Sequence, residues 1–106
     1  MPSKSYRKGY RFEKEVQKWF EERGFFVVRQ GKSRFPDLIA IPSVSTREEQ
    51  PIFVECKYNR KPSKKEISTL SIFEKSHRVK CFFAIKKKGQ RGFVLVSPKE
   101  LKEKQK

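Results

Sequence analysis

Two rhythms of apolar and polar positions run through the chain. Phe12, Val16, Trp19 and Phe20 recur at helical spacing with Lys and Glu between them, predicting an amphipathic helix over about residues 9–23. Gly24 stands where a helix C-cap is expected. Phe25-Phe26-Val27-Val28-Arg29 then reads as a strand, and residues 30–34 as a polar, basic loop. Residues 36–41 read as a second strand, apolar enough to be covered on both faces. A polar connection over 42–51 leads to a third strand at 52–57. Ser63 and Glu66 form a capping box for a second helix reaching about residue 77, with Ile67, Leu70 and Phe73 or Glu74 on its inner side. Residues 79–85 make a fourth strand, 86–92 a turn and 93–96 a fifth strand. A second capping box, Ser97 with Glu100, has Pro98 at the first helical position and opens a short terminal helix over about 98–105. The order is αβββαββα. Helices must cover such a sheet, so the expected class is α/β, a mixed five-stranded sheet flanked by helices.

Length and composition narrow this picture. A chain of 106 residues is expected to be one domain. The longest apolar run, residues 81–85, is far short of the ~20 residues a membrane helix needs, so no membrane partner is expected. Met1-Pro2-Ser3-Lys4 leads into polar and basic residues, so no secretory signal is expected and the cytoplasm is the expected location. Cys56 and Cys81 lie in strand-like runs without metal-ligand spacing and read as buried free thiols, which suits a reducing compartment. Lys and Arg number 27 against 12 Asp and Glu, a formal net charge of +15. That excess repels itself unless the partner is a polyanion, and its clusters fall at loops and element ends, which favours nucleic acid.

Asp37, Glu55 and Lys57 are the candidate chemistry. Side chains alternate along a strand, so Glu55 and Lys57 share one face while Cys56 points to the other, into the core. Asp37 begins the neighbouring strand. If strands two and three pair, Asp37 and Glu55 meet at one end of the sheet. Paired carboxylates in apolar surroundings repel each other and are costly to bury. A divalent cation with hard oxygen ligands resolves both problems and suits Mg²⁺. Such a metal, beside a lysine that orients water or offsets developing charge, serves phosphodiester hydrolysis. The same three residues also fit a Glu–Lys pair on a half-exposed strand with Asp37 closing a turn.

The wider pattern is informative. Arg7-Lys8-Gly9, Phe12-Glu13, Gly24-Phe25-x-Val27-Val28-Arg29, Ser33-x-x-x-Asp37-Leu38-Ile39-Ala40 and Glu55-Cys56-Lys57 occur in this order over about residues 6–98. Together they resemble the archaeal-type Holliday-junction resolvases, within the PD-(D/E)XK nuclease superfamily. The resemblance implies a restriction-endonuclease-like core and a metal-dependent endodeoxyribonuclease. It implies that Glu13, Asp37 and Glu55 hold the metal and that Lys57 is the catalytic lysine. Arg29 and Ser33 match positions that contact DNA and support cleavage. Lys14 stands where the family often carries Arg, and an ammonium grips phosphate less specifically. The connection over 43–50 looks longer than usual for the family.

Basic residues flank the candidate site in sequence. Arg7, Lys8 and Lys14 surround Glu13, Lys32 and Arg34 precede Asp37, and Arg60 and Lys61 follow Lys57. All are expected to grip phosphate. Lys86, Lys87, Lys88 and Arg91 form a further cluster, expected to reach a second DNA arm. Tyr6, Tyr10 and Tyr58 are expected to rim the core, and His77 to sit at a helix end. The expected activity is resolution of four-way junctions by paired nicks with Mg²⁺, for which Mn²⁺ would substitute. Paired cuts on branched double-stranded DNA call for a homodimer, with Ile72 and Phe73 as candidate interface residues and no small-molecule substrate. Another nuclease of the same superfamily, acting in restriction, repair or flap cutting, is the alternative. A non-catalytic basic DNA- or RNA-binding protein is the alternative of a different class.

Overall fold

The computed structural model describes residues 4–31 and 35–104. Its elements are α1 (Lys4–Glu21), β1 (Phe25–Arg29), β2 (Leu38–Pro42), β3 (Ile52–Tyr58), α2 (Lys64–Ser76), β4 (Lys80–Lys86), β5 (Val94–Val96) and α3 (Pro98–Lys104). The order αβββαββα is the expected one. The strands form one five-stranded sheet in the order β1-β2-β3-β4-β5. β3 and β4 pair in parallel and the other neighbours antiparallel. Two parallel strands cannot be joined by a tight turn, and α2 is the crossover between them.

Period-two alternation divides the sheet into two apolar faces. Phe12, Val16 and Phe20 of α1 pack on Val27, Leu38, Ala40, Ile52, Val54 and Ala84. Ile67 and Leu70 of α2 pack on Cys81 and Phe83, with Phe53, Ile85 and Leu101 of α3 partly buried around them. Cys56 packs on the α1 side, as its parity requires.

Several boundaries differ from expectation. α1 begins at Lys4, well before residue 9. Gly9 lies inside the helix, where a Cβ would meet nothing within 4 Å, so its cost is only the ~1 kcal/mol of a helical glycine. The helix stops at Glu21, and its last turn tightens through bonds from Arg23 N to Phe20 O (3.0 Å) and Gly24 N to Glu21 O (3.2 Å). Gly24 then takes φ +93°, and a Cβ there would lie 2.8 Å from Ser45 Oγ in the long connection. β2 begins at Leu38 rather than residue 36, since Pro36 has no N–H to give a ladder. The α2 capping box is present in full. At α3, Ser97 Oγ accepts from Glu100 N (3.2 Å), but the Glu100 carboxylate takes the Ser97 hydroxyl and not its backbone N–H. β4 runs one residue further than expected, because its pairing with β3 continues to Tyr58↔Lys86.

Candidate active site

The β2–β3 register, Leu38 opposite Val54, brings Asp37 beside Glu55 at the sheet end. The two are locked reciprocally. Asp37 N donates to Glu55 Oε1 (2.9 Å), and Cys56 N donates to Asp37 Oδ2 (2.8 Å). On the other flank Gln30 N donates to Asp37 O (2.9 Å), so β1 also fixes this residue. Lys57 leaves β3 on the α2 face and pairs with Glu66 of α2. Its side chain is almost entirely buried. Glu13 reaches the same place from α1 and forms a loose ion pair with Arg29 at 3.9 Å. The Arg29 guanidinium lies over the Tyr10 ring, 4.4 Å from its centroid.

These side chains line one cleft of about 710 Å³. Its walls carry Glu13, Asp37, Glu55, Lys57 and Glu66, and its rim carries Lys8, Arg29, Arg60 and Lys88. Burial pushes Glu13 up to about 7, the Asp37 charge adds to this, and Arg29 opposes it. Burial also pushes Glu55 up to about 7, again with Asp37 adding, while the Asp37 N–H and Lys57 hold it down. Asp37 is raised by burial against the Cys56 N–H, Lys57 and Arg60. The Cys56 thiol is raised by burial and then by Asp37, Glu13 and Glu55 around it. Four neighbouring acids are thus displaced toward their neutral forms, by burial first and by nearby negative charge after it.

A hard divalent cation fits carboxylates held together in one partly buried cleft. Among the described residues no hydrogen bond reaches Asp37 Oδ1 or Glu55 Oε2, which leaves oxygen donors open to the cleft. Among the described residues no group of three His, Cys, Asp or Glu is assembled to hold a metal, and Glu13 lines the cleft with the pair. Two carboxylates, with water and substrate oxygens for the remaining positions, match the habit of Mg²⁺-type sites.

A model of the archaeal Holliday junction resolvase family, Hjc, matches residues 4–106. The chain belongs to this family. The crossover junction endodeoxyribonuclease Hjc of Methanocaldococcus jannaschii is 34% identical over 93 residues, 84% of this chain and 66% of that protein. The chain therefore spans slightly less than two thirds of that relative's length. The Hjc structure from Archaeoglobus fulgidus, a Holliday junction resolvase, matches with a TM-score of 0.66 at 20% identity, over 87% of this chain and 74% of that one. At that identity the likeness bears on the fold: the restriction-endonuclease-like core is the architecture expected from the Hjc resemblance.

Not every expected site residue reaches the cleft. Glu13, Asp37, Glu55, Lys57, Lys8, Arg29 and Arg60 line it, whereas Lys14 and Lys61 are exposed outside it. Lys32, Ser33 and Arg34 lie outside the described residues, as does the Arg7 side chain. Tyr10 does not rim the core: it is exposed, lines the cleft and carries Arg29 and, at 5.8 Å, Lys14 over its ring. Tyr58 touches both the core, at Phe12, and the cleft. The cluster at 86–91 is divided, with Lys87 and Arg91 exposed outside the cleft. Lys88 lines the same cleft, and Lys86 is a strand residue bound to Glu15 at 2.7 Å. Asn59, at φ +57°, joins the two strand ends by giving its N–H to Lys86 O (2.7 Å) and accepting from Lys88 N (3.4 Å). Glu66 was expected only as a helix cap. Its second oxygen, on Lys57, depends on how α2 approaches β3, which no local spacing encodes.

Proposed function

We propose that the protein is a divalent-metal-dependent endodeoxyribonuclease that resolves four-way DNA junctions by paired nicks, with Mg²⁺ as the metal and Mn²⁺ able to replace it. The observation that carries this reading is the interlocked Asp37–Glu55 pair beside buried Lys57, in a cleft rimmed by basic side chains. Asp37 and Glu55 would hold the cation, with Glu13 facing them from α1. When bound, the cation supplies charge stabilisation at the scissile phosphate and eases deprotonation of the attacking water. Lys57 keeps an ammonium at the reacting centre, where it orients water or offsets charge on the phosphoryl oxygens. Lys8, Arg29, Arg60 and Lys88 grip phosphates around it, with Lys14, Lys61, Arg7, Lys32, Ser33 and Arg34 as further DNA contacts. Such contacts position a duplex without reading its sequence.

Residues 1–106 act in this reading as a single nuclease domain, and the free thiols Cys56 and Cys81 suit work in the cytoplasm. Among the described residues no helix is long and apolar enough to cross a membrane. Paired cuts require two sites, and exposed apolar residues on the sheet support a second copy docking there. α2 packs on the β4 side of its face of the sheet, leaving Phe26, Val28 and Ile41 of β1 and β2 exposed. Phe35, Phe53 and Phe73 pack on one another in tilted and T-shaped pairs, at 5.1–6.4 Å between rings, and Ile72 of α2 is exposed. Exposed apolar side chains of this kind on a highly charged chain fit a self-complementary contact. Cleavage of a labelled four-way junction beside a matched linear duplex tests the function. Cutting that requires added Mg²⁺ or Mn²⁺ and favours the junction supports it, while no cutting with either metal sinks it.

A further inference from the structure

We propose that Glu66 is a positioning residue for cleavage, fixing the Lys57 ammonium beside the Asp37–Glu55 pair through the first turn of α2. The inference rests on the nuclease reading above. Lys57 is 2% exposed and sits on a flexible four-carbon stem. Asp37, Glu55 and a substrate phosphate would all attract its charge. An ammonium has three donors, and Glu66 Oε2 takes one, which leaves two for the reacting centre.

Glu66 is well placed to hold a lysine because its own orientation is fixed elsewhere. Its Oε1 accepts from Ser63 N (2.9 Å), while Ser63 Oγ accepts from Glu66 N (3.1 Å). The Ser63 backbone N–H thus sets the carboxylate, and the carboxylate sets the lysine. Glu66 lines the cleft, and its charge is felt at both Asp37 and Glu55. One side chain therefore links the start of α2 to the catalytic end of β3. A cap alone would need only the Ser63 side of this arrangement, which makes the two roles separable by substitution.

Glu66→Gln keeps an oxygen for the Ser63 N–H but removes the negative charge that faces Lys57. Ser63→Ala removes the cap hydroxyl and leaves the Glu66–Lys57 pair. Single-turnover cleavage of a four-way junction at saturating enzyme is measured for both, with junction affinity and melting temperature. Glu66→Gln is expected to slow cleavage about 10–100-fold, the usual cost of losing a partner one step behind a reacting group, with affinity unchanged. Ser63→Ala is expected to melt several degrees lower yet cleave within about threefold of wild type, as a lost cap weakens the helix and not the site. Glu66→Ala is scored in the same way should the Gln variant not fold. Wild-type cleavage by the Glu66 variant, equal losses of rate and affinity, or failure of both Glu66 variants to fold would each overturn the proposal. Absence of cleavage by the wild-type protein would instead remove the nuclease reading beneath it.

Discussion

Glu55→Gln should make the metal-free protein more stable at pH 8. Glu55 is lifted from an ordinary 4.5 to about 7, by burial first and the Asp37 charge second. The folded state therefore binds this proton more tightly than the unfolded chain does. Below about pH 4.5 the carboxyl is protonated in both states and costs nothing. The penalty on folding grows as pH rises from there to about 7, and is complete above it. At 1.36 kcal/mol per pH unit, the rise bounds the penalty at about 3.4 kcal/mol. The group is open to the cleft, so solvent screening reduces this to about 1–2 kcal/mol. A Gln oxygen still accepts the Asp37 N–H that Glu55 Oε1 accepts at 2.9 Å, so no bond is lost. For a chain of this size each kcal/mol moves the melting temperature by about 4–8 °C. Thermal unfolding in EDTA at pH 8 and at pH 4.5 measures the effect. The variant should melt higher at pH 8, and the gap should close at pH 4.5. Added Mg²⁺ should raise the wild type and not the variant. A Glu55→Gln protein equal to or less stable than wild type at pH 8 in EDTA would refute the reasoning.

Three further outcomes are expected. Asp37→Asn should abolish junction cleavage while leaving binding nearly intact in a gel shift, since it removes a charge that repels phosphate; residual cutting within about tenfold of wild type contradicts a metal-ligand role. Lys88→Ala should weaken junction binding more than Lys86→Ala, because Lys88 lines the cleft and Lys86 is held by Glu15; the reverse order in a titration contradicts the site geometry. Phe26→Asp combined with Ile72→Asp should convert a dimer to a monomer in sedimentation, and a dimer that persists places the interface elsewhere.

Much of this was legible in the chain itself. The helical spacing of α1, the short apolar runs of the strands and the two capping boxes located every strand and helix, and β4 reads as a continuous apolar run because both faces of the sheet are covered there. Parity alone separated Lys57 from Cys56. The meeting of Asp37 and Glu55 needed one further assumption, that strands two and three pair, and the antiparallel register meets it. What escaped was tertiary. Lys86 read as part of a basic turn, yet the parallel partner β3 extends far enough to keep it in a strand. Tyr10 read as a residue at the rim of the core, yet Arg29 crosses from β1 to lie on it. The start of α1 escaped because Gly9 resembled a boundary, and open space around it makes the glycine tolerable. Glu66 was sufficiently explained by its capping box, so nothing local called for its second partner.

The most direct test of the central claim is strand-resolved mapping of cuts in a four-way junction, with each strand end-labelled in turn and linear duplex as competitor. Two sites on one dimer should cut opposite strands at matching positions, only with divalent metal, and with tighter binding to the junction than to the duplex. Recognition through phosphates predicts that changing the arm sequences moves the cuts little. Equal affinity for both DNAs, with unpaired nicks in each, would contradict junction resolution and leave a metal nuclease of another substrate.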